Sequence, residues 1–229
     1  NAESSAIYSL TGKNYVFLGS SITYGSNSDG WSMADYIDEC NGEGTVTKLA
    51  VSGTTLSTAA SVNLSDKNTY DNSYVCRLLT AMDDSAIECD HLIVQLSTND
   101  AFANPPKTLG NYTGNGKSAD TTTVIGAIEY ITAAAREKWP NAEISFYTGV
   151  YTSNNVYKTM VIALNNIKGS DKLNIGVLDL YNDAGMHTLI DNDKTSYSNY
   201  MAADGLHPTK AGYQEWIGPK FEKYLASFK

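Results

Sequence analysis

Two short stretches carry side chains whose types and spacing suit acid–base chemistry. Near the amino end, Leu18-Gly19-Ser20-Ser21-Ile22-Thr23-Tyr24-Gly25 takes an apolar run into small and hydroxylated residues. Near the carboxyl end, Asp204-Gly205-Leu206-His207-Pro208 sets a carboxylate and an imidazole three residues apart, so that one turn can hold both. A carboxylate beside an imidazole fixes its tautomer and stabilises the imidazolium formed when the ring takes a proton from a serine. Ser21 alone reads equally as a polar turn or a helix N-cap. Of the three histidines, His91 opens an apolar run and reads as structural, while His187 lies in a polar stretch with no helper acid beside it. His207 is therefore the candidate base.

Two further stretches offer donors for a developing oxyanion. In Ala50-Val51-Ser52-Gly53-Thr54-Thr55, Gly53 can bring a backbone N–H close to a ligand with no side chain intervening. In Gln95-Leu96-Ser97-Thr98-Asn99-Asp100, Asn99 supplies an amide, although Asn and Asp are also ordinary turn formers. Neither a G-x-x-x-x-G-K-[ST] phosphate loop nor a G-x-G-x-x-G fingerprint is present, which argues against nucleotide binding.

Short apolar runs alternate with longer amphipathic ones, the pattern of βα units and a mostly parallel sheet. Strands are expected at Tyr15 to Leu18, Thr45 to Val51, His91 to Leu96, Glu143 to Thr148 and Asn174 to Leu180. Helices are expected near Gly30 to Glu39, Tyr74 to Asp83, Thr122 to Trp139, Asn155 to Lys168 and Thr209 to Phe228, with Pro208 opening the last. Val124, Ile128, Ile131 and Ala135 give the clearest helical period, and Pro140 ends it. The stretches Asn104 to Asp120 and Asp191 to Asp204 read as loops. In open α/β sheets ligands sit beyond the carboxyl ends of the strands, and all four stretches above fall at such positions.

The 229 residues fit one domain spanning 1–229, with 42% hydrophobic and 18% charged residues and no apolar run near the length of a membrane span. A net charge of −9 argues against nucleic acid and anionic membrane surfaces as partners, and favours a neutral or cationic small substrate. Cys40, Cys76 and Cys89 are scattered and odd in number, and read as packing residues. Asp191-Asn192-Asp193 lacks the glycine and glutamate of an EF-hand, and no paired-histidine motif is present, so no metal is expected. A start at Asn1 rather than Met suggests a processed or trimmed chain, which leaves the compartment open.

In this order, the four stretches resemble the conserved blocks of the SGNH/GDSL hydrolase family over almost the whole chain. The family's Gly-Asp-Ser is matched by Gly19-Ser20-Ser21, its block-two glycine by Gly53, its Gly-x-Asn-Asp by Ser97-Thr98-Asn99-Asp100, and its Asp-x-x-His by Asp204 and His207. Ser20 and Ser97 are departures, replacing an Asp and a Gly.

The resemblance implies a three-layer αβα, flavodoxin-like fold with a parallel five-stranded sheet in the order 2-1-3-4-5. It also implies ester hydrolysis with no metal or organic cofactor. Ser21 would be nucleophile, His207 base and Asp204 its orienting acid, with an oxyanion hole from the N–H groups of Ser21 and Gly53 and the Asn99 amide. Tyr24, Trp31 and Asp100 are the candidates for substrate contact. Tyr112, Tyr151, Tyr197 and Tyr200 join Tyr24 and Trp31 in turns or loops where aromatic faces can stack on sugars or simply pack. The expected substrate is a short-chain or carbohydrate ester. The family also holds lysophospholipases and thioesterases, and a non-hydrolytic glycan-binding module is the alternative of a different class.

Overall fold

The computed structural model describes residues 10–228. Five parallel strands form one sheet: β1 Tyr15–Gly19, β2 Val46–Ala50, β3 His91–Gln95, β4 Glu143–Tyr147 and β5 Gly176–Leu178. Their order is β2-β1-β3-β4-β5, as the resemblance implied. β1 lies between β2 and β3, with Tyr15 opposite both Val46 and His91.

Strand β1 is apolar throughout because both of its faces are covered. Val16 and Leu18 join one core with Leu92, Val94, Ile144 and Phe146. There they meet the inward faces of α3 Tyr74–Met82, α5 Val124–Lys138 and α6 Asn155–Ile167. Tyr15 and Phe17 point the other way, into a second core with Ile93 and Tyr147. That face is closed by α2 Met33–Cys40 and the carboxyl-terminal α10 Gly218–Leu225. Two helices only one turn long, α1 Ser21–Tyr24 and α4 Thr98–Phe102, start at the ends of β1 and β3. Side-chain caps set the starts of the longer helices: Ser32 with Asp35 for α2, Ser73 for α3, Thr123 for α5 and Asn154 for α6. Cys76 and Cys89 are buried, Cys40 is half-buried, and all three are free.

Three expectations are corrected. The stretch read as a loop from Asp191 to Asp204 is largely helical, as the end of α7 Ala184–Asn192 and then α8 Lys194–Tyr200. Asp183 and Asp193, which look like turn residues, are the N-caps of those helices and accept from Met186 and Ser196 N–H. Pro208 does not open the last helix; it pairs with Met201 in an antiparallel bridge, and Thr209 caps α9 Lys210–Gly212. From there the chain passes through a π-helical turn, Tyr213–Ile217, into α10. Strand β5 is shorter than expected at both ends: Asn174 takes a left-handed φ of 52° before it, and its pairing with β4 stops at Leu178. Among the described residues no helix is long and apolar enough to cross a membrane.

Candidate active site

Ser21 is the first residue of α1, immediately beyond β1. The turn before it is held by Gln95 at the end of β3. Its Oε1 accepts from Ser20 N–H at 2.9 Å, Thr23 N–H at 3.3 Å and Thr23 Oγ1 at 2.8 Å. Thr23 Oγ1 also bonds Tyr147 Oη at 2.6 Å, and Tyr213 Oη donates to the Ile22 carbonyl at 2.6 Å. One-turn α1 is thus fixed by buried side chains rather than by helix propensity.

His207 and Asp204 arrive on the turn between Met201 and Pro208. The Met201–Pro208 bridge closes it, Ala202 N–H donates to the His207 carbonyl at 2.8 Å, and Gly205 takes a φ of 66° that suits glycine. His207 Nε2 lies 2.8 Å from Ser21 Oγ. On the ring's other side, Nδ1 lies 2.6 Å from Asp204 Oδ2. With Nδ1–H donating to the carboxylate, Nε2 is left free to accept the serine proton. Burial alone would raise the Asp204 carboxyl, but hydrogen bonds from the His207 backbone and ring and from Leu206 N–H outweigh it. They hold the carboxyl below its ordinary value.

The three N–H groups expected to serve an oxyanion follow the carboxyl ends of β1, β2 and β3. The Ser21 N–H, the first of α1, has no acceptor among the described residues, and neither has the N–H of Gly53. Gly53 sits at φ 78° in the turn after β2, tied toward α1 by a hydrogen bond between the Ser52 and Ser26 hydroxyls. Asn99 is on α4, and its Nδ2 donates to the Thr54 carbonyl at 2.7 Å, which leaves a second amide hydrogen free. Ser21, Gly53 and Asn99 thus have three N–H groups without a partner among the described residues, two from backbone and one from a side chain, on segments beyond the carboxyl ends of β1, β2 and β3.

The three candidates for substrate contact separate. Tyr24 is 44% exposed, with Lys48 Nζ 5.9 Å from its ring centroid. Trp31 is half-buried, with Lys210 Nζ 5.5 Å over its ring. Asp100 is fully buried and is a correction, because its carboxylate is spent within the protein. It accepts from Leu56 N–H at 2.7 Å and from Ser57 N–H and Oγ at 3.1 and 2.5 Å. It braces the loop that follows Gly53. Beside Asp204, a cavity of ≈ 440 Å³ is lined by Tyr151, Thr152, Ile190, Tyr197 and Gly205 among others.

The other two histidines lie apart. His91 is buried, with Nε2 2.7 Å from Ser145 Oγ, and burial, aided by Lys13, pushes its pKa down to about 3. His187 is on α7, bonded to the Tyr181 carbonyl at 3.1 Å and packed on the Tyr151 ring at 4.9 Å. Among the described residues no group of three His, Cys, Asp or Glu side chains could hold a metal. Sequence reasoning passed over Gln95, Thr54 and Arg77. A lone polar residue ending the apolar run His91 to Val94 was the one signal available for Gln95.

The profile of the GDSL-like lipase/acylhydrolase family matches residues 17–215. No curated protein sequence matches the chain. Among solved structures, a protein from Lactobacillus plantarum superimposes with a TM-score of 0.67 at 20% identity, covering 96% of this chain and 99% of its own. One named as a GDSL-like lipase, from Bacteroides ovatus, gives 0.57 at 17%, covering 95% and 99%. An active-site mutant of a family two carbohydrate esterase from Clostridium thermocellum gives 0.57 at 15%, covering 96% of this chain and 64% of its own. At these identities the likeness is one of fold.

Proposed function

Since the chain belongs to the GDSL-like lipase/acylhydrolase family, we propose that it is a serine esterase acting on short-chain or carbohydrate esters. The observation that carries this reading is the unbroken line from Ser21 Oγ to His207 Nε2 at 2.8 Å and from His207 Nδ1 to Asp204 at 2.6 Å. Ser21 Oγ attacks the ester carbonyl while His207 takes its proton. The carbonyl oxygen becomes an oxyanion met by the N–H groups of Ser21 and Gly53 and by the Asn99 amide. The tetrahedral species collapses to an acyl-enzyme as His207 returns the proton to the departing alkoxide. Water, deprotonated by the same ring, then releases the acid and restores Ser21.

The substrate class rests on the surroundings of the site. Tyr24 and Phe102 are exposed one turn beyond Ser21 and Asn99 respectively, which suits stacking on a sugar ring. The carbohydrate esterase with the same fold accords with that choice. An acyl series from p-nitrophenyl acetate to palmitate, beside acetylated sugars, tests it. Turnover should be highest for acetate and acetylated sugars, and Ser21→Ala should lose about 10³-fold or more in kcat. A preference for long chains would remove the substrate reading, and full activity in Ser21→Ala would remove the mechanism. No turnover in the wild type would favour a binding module.

A further inference from the structure

Arg77, on α3, turns its guanidinium away from solvent onto the carboxyl ends of β1 and β2. Nη1 donates to the Gly19 carbonyl at 2.8 Å and the Leu49 carbonyl at 3.2 Å. Nη2 donates to Thr54 Oγ1 at 2.7 Å and the Asn72 carbonyl at 2.6 Å. The Tyr74 ring lies 5.5 Å from its Cζ. Among the described residues no carboxylate pairs with it. A half-buried cation serving only carbonyls and a hydroxyl is costly to place, and burial pulls its pKa down.

Each arm ends on chain that carries a group around Ser21. Gly19 lies two residues before the nucleophile. The Thr54 hydroxyl, having accepted from Arg77, donates to the Val51 carbonyl at 2.7 Å and so clamps the turn that contains Gly53. The Thr54 carbonyl in turn receives the Asn99 amide at 2.7 Å. Hydrogen bonds therefore run from Arg77 to Thr54 and from the Asn99 amide to Thr54, while the Thr54 to Val51 bond closes the turn that holds Gly53.

We propose that Arg77 is the positioning residue of the oxyanion site, fixing the Gly53 turn and the Asn99 amide relative to Ser21 through the Thr54 hydroxyl. The inference rests on the esterase reading of Ser21. A planar fork with donors in fixed directions can grip both strand ends and the turn at once, which a point-charge ammonium cannot. Such a residue acts on the transition state through the donors it holds, so its loss should appear in kcat and not in KM.

The experiment uses the whole chain, with Arg77→Met, Thr54→Val and Thr54→Ser made in wild-type and Asn99→Ala backgrounds. Arg77→Met and Thr54→Val should lower kcat for p-nitrophenyl acetate about 10-fold, less than the 10²–10³-fold of deleting a donor outright. KM should stay within about 2-fold, Thr54→Ser should restore most of kcat, and the losses should become smaller without vanishing once Asn99 is absent, because the Gly53 turn is still held. Should Arg77→Met not fold, the Thr54 pair carries the test alone. Equal losses in both backgrounds, a raised KM with unchanged kcat, or no difference between Val and Ser at Thr54 would each overturn the proposal. If the wild type hydrolyses no ester, it is the esterase reading that fails. ¹⁵N relaxation of the Asn99 side-chain amide then decides the role of Arg77 without turnover. Lower order in Thr54→Val than in Thr54→Ser upholds it, and equal order refutes it.

Discussion

Asp204 holds His207 twice: one carboxylate oxygen accepts the His207 backbone N–H at 3.0 Å while the other faces ring Nδ1 at 2.6 Å. The three-residue spacing permits this, since the side chain folds back over its own turn and also accepts Leu206 N–H at 2.9 Å. The acid thus fixes both where the ring is mounted and which nitrogen carries the proton.

From that double hold, His207→Ala should be the more damaging substitution, costing about 10³-fold or more in kcat, because nothing else stands ready to accept the Ser21 proton. Asp204→Ala should cost less, leaving a base that is present but loosely aimed. The double variant should lose little beyond His207→Ala, since residues working as one unit are strongly non-additive. Losses that multiplied would mean that the two side chains act separately. Because the Asp204 carboxyl is held below its ordinary value, it stays charged where imidazoles titrate. Activity should therefore fall on acidification with the slope of one proton, read from kcat/KM against pH. A slope of two would show the carboxyl titrating with the ring.

Asn99→Ala should reduce kcat by about 10²–10³-fold with KM little changed, the worth of one oxyanion donor. In the proposed mechanism the second amide hydrogen of Asn99 serves the transition state, while the first is committed to the Thr54 carbonyl. Kinetics on p-nitrophenyl acetate separate the outcomes. A tenfold rise in KM at constant kcat would instead make Asn99 a ground-state binding residue.

Much of this was legible because the chemistry is local in sequence. The apolar run of β1 announces a strand covered on both faces, and the polar turns after β1, β2 and β3 stand where an open sheet places its ligands. The Asp204 to His207 spacing can be read directly as one turn. What escaped is what depends on distant partners. Asp183 and Asp193 look like loop residues until the N–H groups they cap are in view, and so α7 and α8 were missed. Asp100 sits beside Asn99 in sequence yet is consumed by Leu56 and Ser57, 44 and 43 residues away. Arg77 bonds mainly to backbone carbonyls, which leave no mark in a sequence.

The two glycines near the nucleophile should respond to alanine in opposite ways. At Gly19 a Cβ would overlap the Thr23 side chain and stand 2.8 Å from Gln95 Oε1, inside the buried network that holds α1. Overpacking there should cost on the order of 3 kcal/mol and disturb Ser21 as well. At Gly53 a Cβ meets nothing within 4 Å, so the cost is backbone strain from φ 78°, about 1 kcal/mol. Urea midpoints of the two variants check the ranking. A Gly19→Ala protein as stable as Gly53→Ala would mean that the turn before Ser21 is looser than its hydrogen bonds indicate.

His91 should make the fold acid-sensitive while taking no part in turnover. Its ring is 1% exposed, edge-on to Phe228 at 4.6 Å, and its pKa is pushed down to about 3 by burial and then by Lys13. An unfolded chain binds a proton at this histidine below about pH 6.5, whereas the folded protein does not until near pH 3. Above pH 6.5 the two states bind equally and no penalty exists. Below it the unfolded state binds more protons, so stability falls as pH falls, by up to about 1.4 kcal/mol per pH unit. His91→Gln cannot titrate but can still bond Ser145. It should be the less stable protein at pH 7.5, through imperfect packing, and should lose less than the wild type between pH 6.5 and 4.5. Urea denaturation of both proteins at pH 7.5, 5.5 and 4.5 measures the difference. A gap that stayed constant across those values would show that His91 binds its proton as readily folded as unfolded, and the burial argument for it would fail.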